Sequence, residues 1–185
     1  MKTIPLILVA FAIVLSMTTA PLLAAEPPKP GPEHKKLEML VGEWAYEGTG
    51  EAIPFMAAAG KFKGKYITRI VLGGFFVQSQ GEDISDNQYV YQDVSLTGYD
   101  PVKKTYFSHS FENDGSASTG TMSVSGTTWT TTGTRTASNG KVYKMKTVDT
   151  YSTDGKTSKS VTEYSADGGK TWLKAWISAA TKVGP

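Results

Sequence analysis

The sequence predicts an all-β domain: an antiparallel up-and-down β-barrel of about ten strands with a short N-terminal capping helix. Three observations carry this. From Trp44 onward, side chains alternate between two characters at a period of two, the period of a β-strand. Tight-turn signals punctuate that pattern at Asn113-Asp114-Gly115, Ser138-Asn139-Gly140, Asp154-Gly155 and Asp167-Gly168-Gly169. The stretches between turns leave no room for crossover helices, so successive strands pair antiparallel. An open meander of this length would expose two long edges, and closing it into a barrel removes them. A two-sheet sandwich is the rival arrangement.

Before the domain comes a different kind of segment. Lys2 is the only charge before Glu26, and Ile4 to Met17 is an almost unbroken apolar run. That run is shorter than the roughly 18–20 residues a spanning helix requires. Small residues follow at Ala20, Ala24 and Ala25, then the polar stretch Glu26-Pro27-Pro28-Lys29-Pro30-Gly31-Pro32. The pattern predicts a signal peptide over residues 1–25, a Pro-rich linker over 26–32 and one barrel domain over 33–183. The expected product is exported, periplasmic or secreted, with no membrane span once the signal is removed. The chain has no cysteine, which excludes a lipid anchor on Cys, a disulfide scaffold and Cys-ligated zinc or iron–sulfur.

The elements follow in order. Pro32 to Val41 opens with Pro in the first turn and stops at Gly42, as helices do. Leu37, Leu40 and Val41 share one face, and a helix this short needs something to pack on, here one end of the barrel. Trp44, Tyr46, Gly48 and Gly50 then alternate with charged or polar neighbours. Tyr66, Thr68 and Ile70 lead to Leu72-Gly73-Gly74-Phe75, which reads as a reversal into the strand ending near Gln80. Gln88 to Tyr99 is closed by Asp100-Pro101-Val102-Lys103-Lys104, where Pro presets the turn. Thr105 to Glu112 follows, and the remaining strands fall near 117–125, 127–136, 141–152, 157–165 and 171–181. Ala52 to Gly60 is apolar, contains Pro54 and fits no strand; it reads either as a lid over the barrel mouth or as an outer packing segment.

Composition excludes several functions. Lys and Arg number 19 against 17 Asp and Glu, a net charge of +2, too little for a nucleic-acid footprint. No Gly-x-Ser-x-Gly elbow, His-Glu-x-x-His or phosphate-cradling loop with Lys occurs. With 2 His and scattered carboxylates, no metal site is expected.

The helix followed by Gly42-Glu43-Trp44 resembles the opening of lipocalins and related calycin barrels, where the Trp closes the barrel floor. More specifically, the chain resembles a bacterial family known as a domain of unknown function, number fifteen seventy-nine. The matching pieces are Gly42-Glu43-Trp44, Val71-Leu72-Gly73-Gly74-Phe75-Phe76-Val77, and Leu96-Thr97-Gly98-Tyr99-Asp100 with Lys103-Lys104 and Tyr106. Glu163-Tyr164 and Trp172-Leu173-Lys174-Ala175 resemble its last hairpin. The resemblance implies a lipocalin-like barrel and leaves activity open. A weaker similarity, to nitrobindin-type haem barrels, fits Gly42 and Trp44 only. Gly48 and Gly50 arrive two residues late, and no histidine follows His109. A haem needs an axial ligand, so no cofactor is expected.

The candidate ligand-binding residues are Trp44, His109, Tyr143, Met145, Tyr151 and Tyr164. Lys144 and Lys146 should face water, which sends Tyr143, Met145, Thr147, Asp149 and Tyr151 inward. By the same reasoning Ser160, Thr162 and Tyr164 face in, opposite Lys159 and Glu163. An interior of Tyr, Thr, Ser and Met with one acid is more polar than a plain core and suits a small-molecule cavity. His109 shares a face with Phe107 and Phe111; if that face points inward, it orients a ligand or acts as a general base. A base would need a partner such as Asp149, Asp93 or Glu163. Trp172 and Trp176 flank Lys174 on one face and read as barrel wall. The expected function is therefore an exported protein holding a small apolar or amphipathic molecule. The alternatives are a hydrolase or isomerase using His109 and a carboxylate, and a ligand-free structural or interaction module. Sparse acid/base residues beside plentiful aromatic and hydroxyl groups favour binding.

Overall fold

The computed structural model describes residues 26–54 and 60–185. The expected signal segment 1–25 and the middle of the expected lid, 55–59, lie outside the described residues. Ten strands run as β1 (Gly42–Gly50), β2 (Gly60–Val71), β3 (Phe76–Ser85), β4 (Val90–Asp100), β5 (Thr105–Glu112), β6 (Ala117–Ser125), β7 (Thr128–Thr136), β8 (Val142–Tyr151), β9 (Thr157–Ser165) and β10 (Leu173–Gly184). Each pairs antiparallel with its sequence neighbour, and β1 pairs with β10 to close the barrel. The sandwich alternative is thereby excluded.

The turns are made by the chemistry that marked them. The Asp100 carboxylate accepts hydrogen bonds from the Val102 and Lys103 N–H groups at 2.9 and 3.0 Å, and Asp167 does the same for Lys170 and Thr171. Such side-chain-to-backbone bonds fix a reversal locally. Gly140 (φ 79°) and Gly155 (φ 66°) occupy the left-handed region that these turns require.

The chain entry forms a plug at one end. α1 (Pro32–Lys36) runs directly into a 3-10 turn, Leu37–Leu40. Leu37 is 1% exposed and packs among Val77, Tyr106, Met122 and Trp129. The Tyr106 hydroxyl donates to the Glu33 carbonyl (3.0 Å) and carboxylate (2.7 Å), tying the helix to β5. Trp44, fully buried, donates its indole N–H to the Leu40 carbonyl at 3.2 Å and stacks on Tyr66. It is the floor of the barrel.

A second apolar cluster lies toward the opposite end: Ile53, Tyr143, Tyr164 and Ala175, joined by Met145, Leu173 and Trp176. Ile53 reaches it because the Glu51 N–H donates to the Ala175 carbonyl at 2.8 Å, which turns the chain inward after β1. The two apolar layers bracket a middle zone of quite different composition. Among the described residues no helix is long and apolar enough to cross a membrane.

Candidate functional site: a polar hollow inside the barrel

Between the two apolar layers the inward positions carry small hydroxyl side chains: Ser79, Ser95, Thr97, Ser108, Ser110, Thr131, Thr147, Ser160, Thr162 and Ser178 among them. A barrel of about eight strands is just filled by its side chains. Ten strands with small inward residues leave space. The hydroxyls pair along the walls, Thr68 with Ser79 at 2.8 Å, Thr97 with Ser108 at 3.2 Å and Thr147 with Thr162 at 3.0 Å. They hold one another rather than fill the centre.

Three compartments result. A lower one of about 310 Å³ lies above the plug, with Leu40, Tyr66, Trp129 and Tyr151 in its walls. A middle one of about 350 Å³ shares Asp93, Ser95, Met122 and Asp149 with it. A third, about 460 Å³, lies toward the mouth between Tyr46, Phe62, Asp83, Tyr91, Arg135 and Trp176. The compartments share walls and have the size of a small-molecule site.

Acids dominate this interior. Asp83, Asp93, Glu112 and Asp149 all line it, and Arg135 is the one cation among the described lining residues. Arg135 forms a buried ion pair with Glu112, and Asp114 lies 3.8 Å from its other terminal nitrogen. Burial, the largest single influence, would lower the Arg135 pKa, but the hydrogen bond and charge of Glu112 together with Tyr164 and Tyr91 outweigh it and hold the guanidinium charged. Burial pushes the Asp93 carboxyl up to about 6, helped by nearby Glu112 and Asp83. Burial also pushes Asp149 up to about 6, against a hydrogen bond from Ser160. Asp83 moves upward for the same reason, although it accepts the Tyr46 hydroxyl at 2.7 Å. The tyrosine hydroxyls of Tyr46, Tyr66 and Tyr91 are driven far above their ordinary range by burial and stay neutral donors.

The structure brings together most of the residues singled out from sequence. Met145 and Tyr164 line the middle compartment, and Tyr151 lines the lower one. Tyr143 is buried in the upper apolar layer, and Trp44 lies beneath the hollow, its ring packed on Tyr66 and Tyr151.

His109 does not join them. It is exposed on the outer face of β5, with Phe107 at 5.9 Å and Phe111 58% exposed, while Tyr106, Ser108, Ser110 and Glu112 take the inward positions. Asp93 and Asp149 face the interior, so the barrel wall separates them from His109, and Glu163 lies on the outer face of β9, four strands away, paired with Lys146 at 3.5 Å. Trp172 and Trp176 also part company. The register shifts between Lys174 and Trp176, so Trp176 packs inside against Tyr164 at 5.4 Å while Trp172 stays 37% exposed.

Sequence reasoning missed Asp83, Glu112 and Arg135. The signal was present in the alternation. Arg135 shares its parity with Trp129 and Thr131, and Asp83 shares that of Val77 and Ser79.

A closed antiparallel barrel with a plugged floor, a Trp at the first strand and a hollow interior defines a ten-stranded up-and-down β-barrel. The chain belongs to the family described as Protein of unknown function (DUF1579), which it matches over residues 29–179. Among solved structures it is similar to Rv2717c from M. tuberculosis, with a TM-score of 0.61 at 14% identity over 82% of this chain and 98% of that one. That likeness concerns the fold alone. Two designed barrels are more distant. A de novo designed fluorescence-activating β-barrel has a TM-score of 0.41 at 10% identity over 78% and 94% of the two chains. EF1p2_mFAP2b bound to DFHBI has 0.43 at 8% over 80% and 98%. No curated protein matches the chain.

Proposed function

We propose that this protein is an exported binding protein that holds a small amphipathic molecule inside the barrel. The observation that carries the reading is the unfilled interior: three adjoining compartments, each about 310–460 Å³, walled by hydroxyls and tyrosines. A chain selected only to pack would place larger apolar side chains there. Aromatic rings supply contact area for an apolar body, and the placed polar groups would orient a polar head. Export rests on the apolar run Ile4 to Met17 and the small residues before Glu26.

Native mass spectrometry of protein purified gently from its own periplasm or medium tests both parts. A mass beginning at Glu26, with a small molecule retained, supports them. An empty barrel that neither gains mass nor shifts in thermal stability across a library of amphipathic compounds would overturn the binding role. A chain retained in the cytoplasm with residues 1–25 intact would overturn export.

A further inference from the structure

We infer that the molecule the hollow takes is an organic cation, a protonated amine with an apolar body, its ammonium group set among Asp93, Glu112 and Asp149. This rests on the binding role proposed above and narrows its ligand class.

The chain as a whole is close to neutral, yet its interior is not. Among the described residues the inward positions gather acids and admit one cation, while Lys144, Lys159 and Lys174 stand exposed on the outer wall. Arg135 has little charge left for an anionic ligand, since Glu112 pairs with one terminal nitrogen and Asp114 lies 3.8 Å from the other, while its buried Nε–H has no hydrogen-bond partner. A carboxylate or phosphate entering the hollow would meet three further acids.

The middle compartment has the sharper feature. Asp93, Glu112 and Asp149 all line it. Glu112 gives one carboxylate oxygen to Arg135, and its other, Oε2, is buried without a hydrogen-bond partner. An unsatisfied buried carboxylate oxygen is costly, and an N–H donor from a ligand is the group that would relieve it. Asp93 and Asp149 carry no ion pair among the described residues, and Glu112 keeps this one acceptor oxygen; ionised carboxylates accept only, so the complement is a donor-rich positive charge. A metal ion is the other cation class, but among the described residues no three such side chains converge closely enough to hold one. An ammonium head reaches its acceptors through N–H donors at hydrogen-bond distance, longer than a metal–ligand bond, and its apolar body can pack on the walls, so it suits carboxylates that lie too far apart to share a metal. Tyr91 and Trp176 line the same space, and aromatic faces attract ammonium groups.

Three probes of one shape separate the possibilities: 2-phenylethylamine, 2-phenylethanol and phenylacetate, titrated calorimetrically into the mature protein at about pH 7.5, where the amine is protonated and Asp93 and Asp149 are above their raised pKa of about 6. The amine should bind at least about tenfold more tightly than the alcohol, and phenylacetate more weakly than either. An Asp93→Asn/Asp149→Asn variant should lose the amine's advantage and keep the alcohol's affinity. Asp149→Asn alone serves if the double variant does not fold. The alcohol or phenylacetate binding as tightly as the amine would overturn the cation assignment and leave the binding role standing. An amine preference untouched by these variants would overturn the placement among these acids. Binding of none of the three at about 1 mM would count against both readings.

Discussion

Asp93 and Gly81 face each other directly across the β3–β4 ladder, and the Asp93 carboxylate occupies the space a side chain at Gly81 would need. A Cβ at Gly81 would lie 2.6 Å from Asp93 Oδ1 and 3.4 Å from the Tyr66 Cβ. The glycine thus makes room for a buried acid. Gly81→Val should overpack this wall, destabilise the barrel by about 1–3 kcal/mol and turn the carboxylate out of its place. Urea denaturation reads the first effect, and the Asp93 titration followed by NMR reads the second.

The raised carboxyls give the barrel a pH dependence of definite sign. Asp93 and Asp149 hold their protons more tightly folded, at about 6, than at the ordinary 3.8. Their favourable contribution is complete below the ordinary value and is lost as pH rises through about 6. Each group accounts for roughly 2–3 kcal/mol at most. The lowered carboxyls, Asp100, Asp154 and Asp167, have the opposite sign and act below that window. The unliganded protein should therefore melt at a higher temperature near pH 5 than near pH 7.5, as calorimetry will show. Asp93→Asn/Asp149→Asn should flatten most of that slope.

The Arg135–Glu112 pair is buried on both sides, at 8% and 2% side-chain exposure. Removing one partner leaves the other as an uncompensated buried charge. Arg135→Met should cost about 3–5 kcal/mol, and Arg135→Met with Glu112→Met should recover most of it. A double-mutant cycle in urea denaturation checks the pattern.

The plug is fastened by Tyr106. Tyr106→Phe removes both hydrogen bonds to Glu33 while keeping the ring against Trp129 at 5.0 Å. The loss should be about 1 kcal/mol overall. Faster hydrogen exchange should be concentrated in residues 32–40, with the strands unchanged.

His109→Ala provides the contrast. Its ring is outside the hollow, so stability should change by no more than about 0.5 kcal/mol, and the affinity for any interior ligand should stay constant in titration.

Much of this fold was legible because turn residues act locally. Asp100 with Pro101, Asp154 with Gly155, and Asp167 with Gly168 make the same turns in the barrel that their chemistry announces in the chain. The faces of β8 and β9 were legible too, since Lys144 and Lys159 cannot be buried cheaply and so set the parity of their strands. On β5 that reasoning had no such marker. Phe107, His109 and Phe111 look like the core face beside Ser108 and Ser110, yet the barrel inverts the usual order. Its interior is the hydroxyl-rich side, and Phe107 finds its packing outside, against Phe76 at 6.1 Å. Apolar parity indicates which residues share a face; it does not say which face is inside when the interior is built to stay open. The Arg135–Glu112 pair was hidden for another reason. It joins β5 to β7, strands that are not neighbours but flank β6, so the contact appears only once the sheet order is known.

Nine of the ten ladders join strands adjacent in sequence, and one, β1 with β10, joins the two ends of the barrel. Hairpins can zip locally and early, whereas that last seam must await the arrival of the final strand, at the entropic cost of closing the longest loop in the molecule. Until Trp44 and Lys182 come into register, there is a curled sheet but no enclosed interior. Any molecule the barrel holds is therefore gained after the seam has formed, or is trapped by its formation.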